Sequence, residues 1–96
     1  MQKSKRAVAL HYDAERDRAP RVTARGQGKL AERIIATARE NGIEIIEEEK
    51  LLSALYPLEV ECEIPAPLYE AVSVVLAYVY RKQSMFAKKR SSPGDN

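Results

Sequence analysis

The segment that most limits how this chain can fold lies near its C-terminal end. After Pro65 and Pro67, residues 68–82 carry Leu68, Ala71, Val72, Val74, Val75, Leu76, Ala77 and Val79, with Tyr69, Tyr78 and Tyr80 among them. Proline suits the first turn of a helix, where no N–H partner is lost, so a helix from about Leu68 to Lys82 is predicted. Its apolar positions run round nearly the whole circumference. A helix of this kind has to be covered on more than one side: it sits deep in the fold, or it gives part of its surface to a partner. The most apolar stretch, Ala71–Tyr80, is half as long as the ~20 residues a membrane-spanning helix needs, so the cover must come from protein.

The rest of the chain holds the elements that could supply such cover. Ala7-Val8-Ala9-Leu10 is a continuous apolar run without helical period, which reads as a buried strand. Asp13 to Arg18 is charged and marks a loop. Pro20 sets the start of a second strand, in which Val22 and Ala24 alternate with Arg21, Thr23 and Arg25, the period of a half-buried strand. Gly26 and Gly28 are expected to break it and open a helix over about Gln27–Asn41. There Ala31, Ile34, Ile35 and Ala38 form a stripe at i, i+3, i+4 and i+7. Asn41-Gly42 stops the helix. Ile43, Ile45 and Ile46 read as a third, β-branched strand, and strand–helix–strand in this order implies a right-handed parallel crossover. Glu48–Tyr56, with Leu51, Leu52 and Leu55, reads as a short helix ended by Pro57. Leu58–Ile64 is an acidic connection. The predicted fold is α/β: a small mixed β-sheet of about three strands packed by about three helices. Residues 1–5 are expected to be a flexible N-terminus, 6–82 the domain and 83–96 a disordered basic tail.

With 96 residues, this is one small domain with a modest core. The net charge is +2, too small an excess for a dedicated nucleic-acid binder. Its placement is uneven, with Lys3, Lys5 and Arg6 at one end and Arg81, Lys82, Lys88, Lys89 and Arg90 at the other. Basic ends can touch nucleic acid or membranes, and are more commonly just solvated. The lone Cys62 fits a reducing cytosol. No apolar segment follows the basic N-terminus, so no signal peptide is expected.

The motifs that could carry chemistry are incomplete. Arg25-Gly26-Gln27-Gly28-Lys29 stands between a strand and a helix, where N–H groups attract anions, but neither phosphate-loop pattern is complete. A tight strand-to-helix turn accounts for it. His11 is the only histidine, so neither a metal site nor a His-based triad has its partners. Asp13, Glu15 and Asp17 alternate as in calcium loops, without the glycine and closing glutamate such loops use. No cofactor, metal or turnover is expected.

Several short pieces, in order and at matching spacing, resemble the FlhB/YscU family of type III export-switch proteins. They are Val8-Ala9-Leu10-His11-Tyr12-Asp13, then Ala19-Pro20-Arg21-Val22-Thr23-Ala24-Arg25-Gly26-Gln27-Gly28, Ala54-Leu55-Tyr56, and Ile64-Pro65 followed by Leu68-Tyr69. The resemblance runs over roughly residues 6–80. It implies the cytoplasmic domain of that family, which follows a membrane part and cuts itself in an Asn-Pro-Thr-His turn through attack of the Asn side chain on its own carbonyl. Here the equivalent stretch reads Gln2-Lys3-Ser4-Lys5 and departs at each place. Gln would have to close a six-membered ring, and the activating residues are gone, so self-cleavage is not expected. The membrane helices are absent, as is the strand that precedes the motif in the family.

What the resemblance implies is a stand-alone counterpart of the fragment left after cleavage. It would be cytoplasmic, docked at the inner face of the cell membrane on the export apparatus. Its implied partners are the flagellar export gate proteins, the membrane part of the switch protein, and rod and hook subunits. The family's substrate-contact patch maps onto Ala19, Pro20, Ser73 and Leu76, with Ser73 standing where the family has Ala. Leu76 could equally be core, and Pro20 merely the start of a strand. A missing strand leaves a sheet edge, which invites pairing with the membrane component or a homodimer. Two other readings stay open: a nucleic-acid-binding accessory domain using the basic ends, and a folded remnant with no export role.

Overall fold

The computed structural model describes the backbone of residues 5–91 and the side chains of residues 5–82. Its centre is a two-stranded antiparallel sheet. Strand β1 (Arg6–His11) pairs with β2 (Arg21–Gln27) in the register Ala7↔Gly26, Ala9↔Ala24 and His11↔Arg21. The register slips between Ala9 and Leu10, which leaves Thr23 as the extra residue of a β-bulge. Its hydroxyl is turned back to the Ala9 carbonyl at 3.4 Å. Because successive side chains alternate, Val8 and Leu10 share a face, and both pack against the core cluster.

Gly26 does not break β2; it lies inside the strand, opposite Ala7. The break falls at Gly28, whose φ of 64° is left-handed and suits glycine. Its N–H donates to the Lys5 carbonyl at 2.7 Å. Helix α1 follows over Lys29–Glu40. At its end Gly42 takes φ 68°, the Gly42 N–H reaches the Arg39 carbonyl at 3.2 Å and the Ile43 N–H the Ala38 carbonyl at 2.8 Å. These two bonds form a Schellman motif, the stop that Asn41-Gly42 announces.

The third strand does not form. Ile43–Ile46 has the composition of a strand but is irregular, and the parallel crossover is therefore absent. A strand exists only where a neighbour takes its hydrogen bonds, and among the described residues none reaches Glu44–Glu47. The α/β class holds; the sheet has two strands instead of about three and is antiparallel instead of mixed. Helix α2 (Glu49–Leu55) comes next. A 3₁₀ turn at Ala66–Leu68 then leads into α3 (Tyr69–Ser91). Beyond Lys82, where the apolar pattern ends and a disordered tail is expected, the backbone stays helical to Ser91. Gln, Met, Ala, Lys and Arg there are good helix formers, and no proline intervenes before Pro93.

The acidic connection has a structural use that composition hid. The Val22 N–H donates to the Cys62 carbonyl at 2.9 Å, the Glu61 N–H to the Val22 carbonyl at 2.6 Å and the Ile64 N–H to the Pro20 carbonyl at 2.9 Å. A single antiparallel bridge joins Arg21 and Glu63. This lays residues 61–64 along the start of β2. Ile64, thus positioned, enters the core with Leu55 and Val72, and Val8, Leu10, Leu51, Leu58, Leu68 and Leu76 pack round the three. Full burial of side chains this size contributes about 1.5–3 kcal/mol each.

Helix α3 resolves the choice its sequence posed. Val72 is buried and Leu76 half-buried, while Tyr69, Val74, Tyr78 and Tyr80 stay exposed. One side is covered; the other is open. Among the described residues no helix is long and apolar enough to cross a membrane.

Candidate functional site

The loop before β2 is held by its own polar groups. Asp13 accepts on its carbonyl from the N–H of Arg16 at 3.0 Å and of Asp17 at 2.8 Å. In return the Asp13 N–H donates to Asp17 Oδ2 at 2.8 Å, and the Glu15 N–H to Asp13 Oδ1 at 3.0 Å, an Asx turn. Arg21 Nη1 lies 3.3 Å from Asp17 Oδ1, and His11 Nε2 lies 3.9 Å from Oδ2. The Asp13 N–H, ahead of the Arg21 and His11 charges, holds the Asp17 carboxyl below the usual carboxylate value in spite of some desolvation. The alternating acids therefore serve the loop itself, with Asp17 as its tie to β2.

The loop delivers Ala19 and Pro20 against α3. Ala19 and Pro20 are buried, and the Pro20 carbonyl is fixed by the Ile64 N–H. On α3, Tyr69, Val72, Ser73 and Leu76 share one face, being spaced by three and four. The two segments wall an open cleft of about 180 Å³, to which Tyr12 and Arg18 also contribute. All of Ala19, Pro20, Ser73 and Leu76 line it. Leu76 does double service: it packs on the core and forms the cleft wall. The Ser73 hydroxyl donates to the Glu70 carbonyl of its own helix at 2.8 Å. Its donor is thus used within the helix, which limits the polarity Ser73 brings to the cleft.

Sequence reasoning missed Tyr12, Arg18, Tyr69 and Val72 as lining residues. Tyr69 and Val72 carried a signal, since they repeat with Ser73 and Leu76 on one helical face; Tyr12 and Arg18 carried none. Of the stretch expected to stand at the place of a cleavage motif, Gln2, Lys3 and Ser4 lie outside the described residues, and Lys5 is exposed.

A second polar cluster braces the far end of the sheet. The Tyr56 ring lies between two guanidinium groups, Arg6 at 5.1 Å and Arg25 at 5.5 Å from its centroid. Arg25 also donates to the Tyr56 carbonyl, at 2.5 Å, while Arg6 reaches Ser53 at 2.9 Å and Glu49 at 3.3 Å. The end of α2 is thereby pinned to both strands. Further ion pairs lie at Arg18–Glu63, Arg21–Glu61 and Lys82–Glu44.

A small α/β domain with these elements, and a cleft between an Ala-Pro corner and the last helix, has close counterparts. Residues 4–79 match the profile of the FlhB HrpN YscU SpaS family, and the chain belongs to that family of type III export-switch proteins. It is 38% identical to YlqH of Bacillus subtilis over 86 residues, covering 90% of this chain and 92% of that one. It is 40% identical over 83 residues to the flagellar biosynthetic protein FlhB of Aquifex aeolicus, covering 84% of this chain but 24% of FlhB. The chain thus spans about a quarter of that FlhB and nearly all of YlqH. The crystal structure of the cytoplasmic domain of FlhB from Shewanella putrefaciens superposes with a TM-score of 0.74 at 41% identity, covering 78% of this chain and 61% of that one.

Proposed function

We propose that this domain is an accessory part of the flagellar type III export apparatus. In this role it stands in for the C-terminal fragment of the export-switch protein and takes part in substrate recognition or specificity switching. The observation that carries the proposal is the convergence of Ala19 and Pro20 with Ser73 and Leu76 in one cleft. Residues more than fifty positions apart in the chain share a mostly apolar wall with a tyrosine at its rim, and a concave surface of that kind suits an apolar segment of another protein. Rod and hook subunits are the proposed occupants, with the gate proteins and the membrane part of the switch protein as the platform. The protein would act in the cytoplasm, at the inner face of the cell membrane.

The domain performs no turnover in this reading. Gln2-Lys3-Ser4-Lys5 stands where self-cleavage would need Asn-Pro-Thr-His, so the chain works by binding alone. A net charge of only +2 disfavours a nucleic-acid role.

A rescue assay tests the proposal. Flagellated cells whose switch protein stops just after the cleavage-site Asn are supplied with this chain in trans, and motility and hook length are scored. Restored motility is expected, with Leu76→Asp abolishing it at unchanged protein level and Ser73→Ala preserving it. A folded, abundant protein that gives no rescue would refute the substitution. Rescue unaffected by both Pro20→Gly and Leu76→Asp would refute the cleft.

A further inference from the structure

The cleft between the Ala-Pro corner and α3 is chemically one-sided at its rim. Its floor is apolar, made by Ala19, Pro20, Val72 and Leu76. At about 180 Å³ it is smaller than the ~300 Å³ at which small-molecule pockets begin, so it suits a side chain of a polypeptide. Round the floor stand Tyr12, Arg18 and Tyr69. Among the described residues no hydrogen bond uses the Tyr12 or Tyr69 hydroxyl or the Arg18 guanidinium, and no carboxylate lines the cleft. Phenol O–H and guanidinium N–H groups are donors. An apolar floor ringed by unspent donors matches an apolar side chain with an anionic acceptor beside it. The anionic acceptor that a polypeptide supplies is the carboxylate of Asp or Glu.

Arg18 is the charged member of this rim. It directly precedes the corner, and its side chain is 88% exposed. Its one ionic contact among the described residues is with Glu63, whose Oε2 lies 3.9 Å from Nη2, too far for a hydrogen bond. Exposed pairs of this kind are weak, so a carboxylate anchored by an apolar neighbour on the cleft floor can take the place of Glu63. The other acids of the corner are engaged elsewhere: Asp17 with the Asp13 N–H and Arg21, and Glu61 with Arg21. Glu63 thus acts as an internal counter-ion that an occupant displaces.

We infer that the cleft selects an apolar side chain flanked by an acidic residue, in a short segment of another polypeptide, and that Arg18 makes the selection. This rests on the cleft being the site for an exported segment, and adds the sequence class of that segment: an apolar anchor next to Asp or Glu.

The probes are three end-blocked peptides, Ser-Asp-Leu-Asp-Ser and its counterparts with Asn or Lys in place of both Asp. Each is titrated into the isotope-labelled full chain, and the amide shifts of Ala19, Ser73 and Leu76 are followed. The Asp peptide should bind up to about fivefold more tightly than the Asn peptide and about tenfold or more tightly than the Lys peptide, with the differences shrinking at about 1 M salt. Arg18→Ala, at an exposed position, should remove the preference for Asp over Asn and leave binding of the Asn peptide unchanged. Glu63→Gln frees Arg18 and should tighten the Asp peptide by up to about fivefold. Equal binding of the Asp and Lys peptides overturns the selection while leaving the cleft as a binding site, and so does a preference that survives Arg18→Ala. If no peptide moves the amides of Ala19, Ser73 and Leu76, the cleft itself is refuted as the site and the selection falls with it.

Discussion

Gly26 offers a test of why the glycine-rich turn has its composition. The residue sits within β2 and its φ is not left-handed, so backbone freedom does not demand glycine. Space does. A Cβ at this position would overlap Leu30 Cγ and lie 2.8 Å from Cδ2 and 2.9 Å from Cβ of the same side chain. Such overpacking costs roughly 1–3 kcal/mol. Against it, Gly→Ala at a compatible position stabilises by roughly 0.4–1 kcal/mol through the unfolded chain. The expected net effect of Gly26→Ala is a loss of about 1–2 kcal/mol, since Leu30 is 50% exposed and can give way in part. In a Leu30→Ala background the overlap with Cγ and Cδ2 is gone and only the 2.9 Å approach to Cβ remains, so the same substitution should cost clearly less, with the unfolded-chain gain of about 0.4–1 kcal/mol offsetting most of what is left. Urea unfolding of the four proteins of the cycle gives the coupling directly. Equal cost in both backgrounds would refute the steric account, and with it the reading of Gly26 as a packing residue instead of part of an anion loop.

Three further outcomes are expected. Tyr56→Leu removes two cation–π contacts, with Arg6 and Arg25, each worth about 0.5–1 kcal/mol near the surface; urea unfolding should show a loss of about 1–2 kcal/mol, and no loss would mean the clamp is ornamental. Ile64→Ala empties a side chain that is 2% exposed at the centre of the core and should cost about 2–5 kcal/mol, measured the same way, with a cost below about 1 kcal/mol contradicting the assigned core. Asp17 titrates below its ordinary value of 3.8 because the Asp13 N–H stabilises the carboxylate. A lowered folded pKa means that its contribution to the loop is complete above the ordinary value and fades as pH falls through the lower one. The Asp13 amide shift, followed by NMR, should move over that acid range in the native chain and stay flat in Asp17→Asn.

The sequence by itself determined the local elements. The alternation in Arg21–Arg25, the i, i+3, i+4, i+7 stripe of α1, the Asn41-Gly42 stop and the proline entry to α3 each rest on interactions a few residues long, and each is where it was expected. It also marked Ala19, Pro20, Ser73 and Leu76, through the resemblance, and Val60-Glu61-Cys62-Glu63-Ile64 held an alternation that could have revealed the strip along β2. Only the tertiary structure decided which elements have neighbours. Ile43–Ile46 is as β-branched as any strand, yet a strand needs a second chain segment to accept its hydrogen bonds, and none of the described residues does so. Residues 61–64 carry acids and a left-handed Glu61 at φ 77°, yet they edge β2 because Pro20 and Val22 offer unpaired groups there. Helix α3, apolar all round, is half covered because a domain of this size has too few elements to bury both its sides. The cleft has the same origin: Pro20 meets Leu76 because Ile64 bonds the one and packs beneath the other, a juxtaposition fixed by the core and by no short-range pattern.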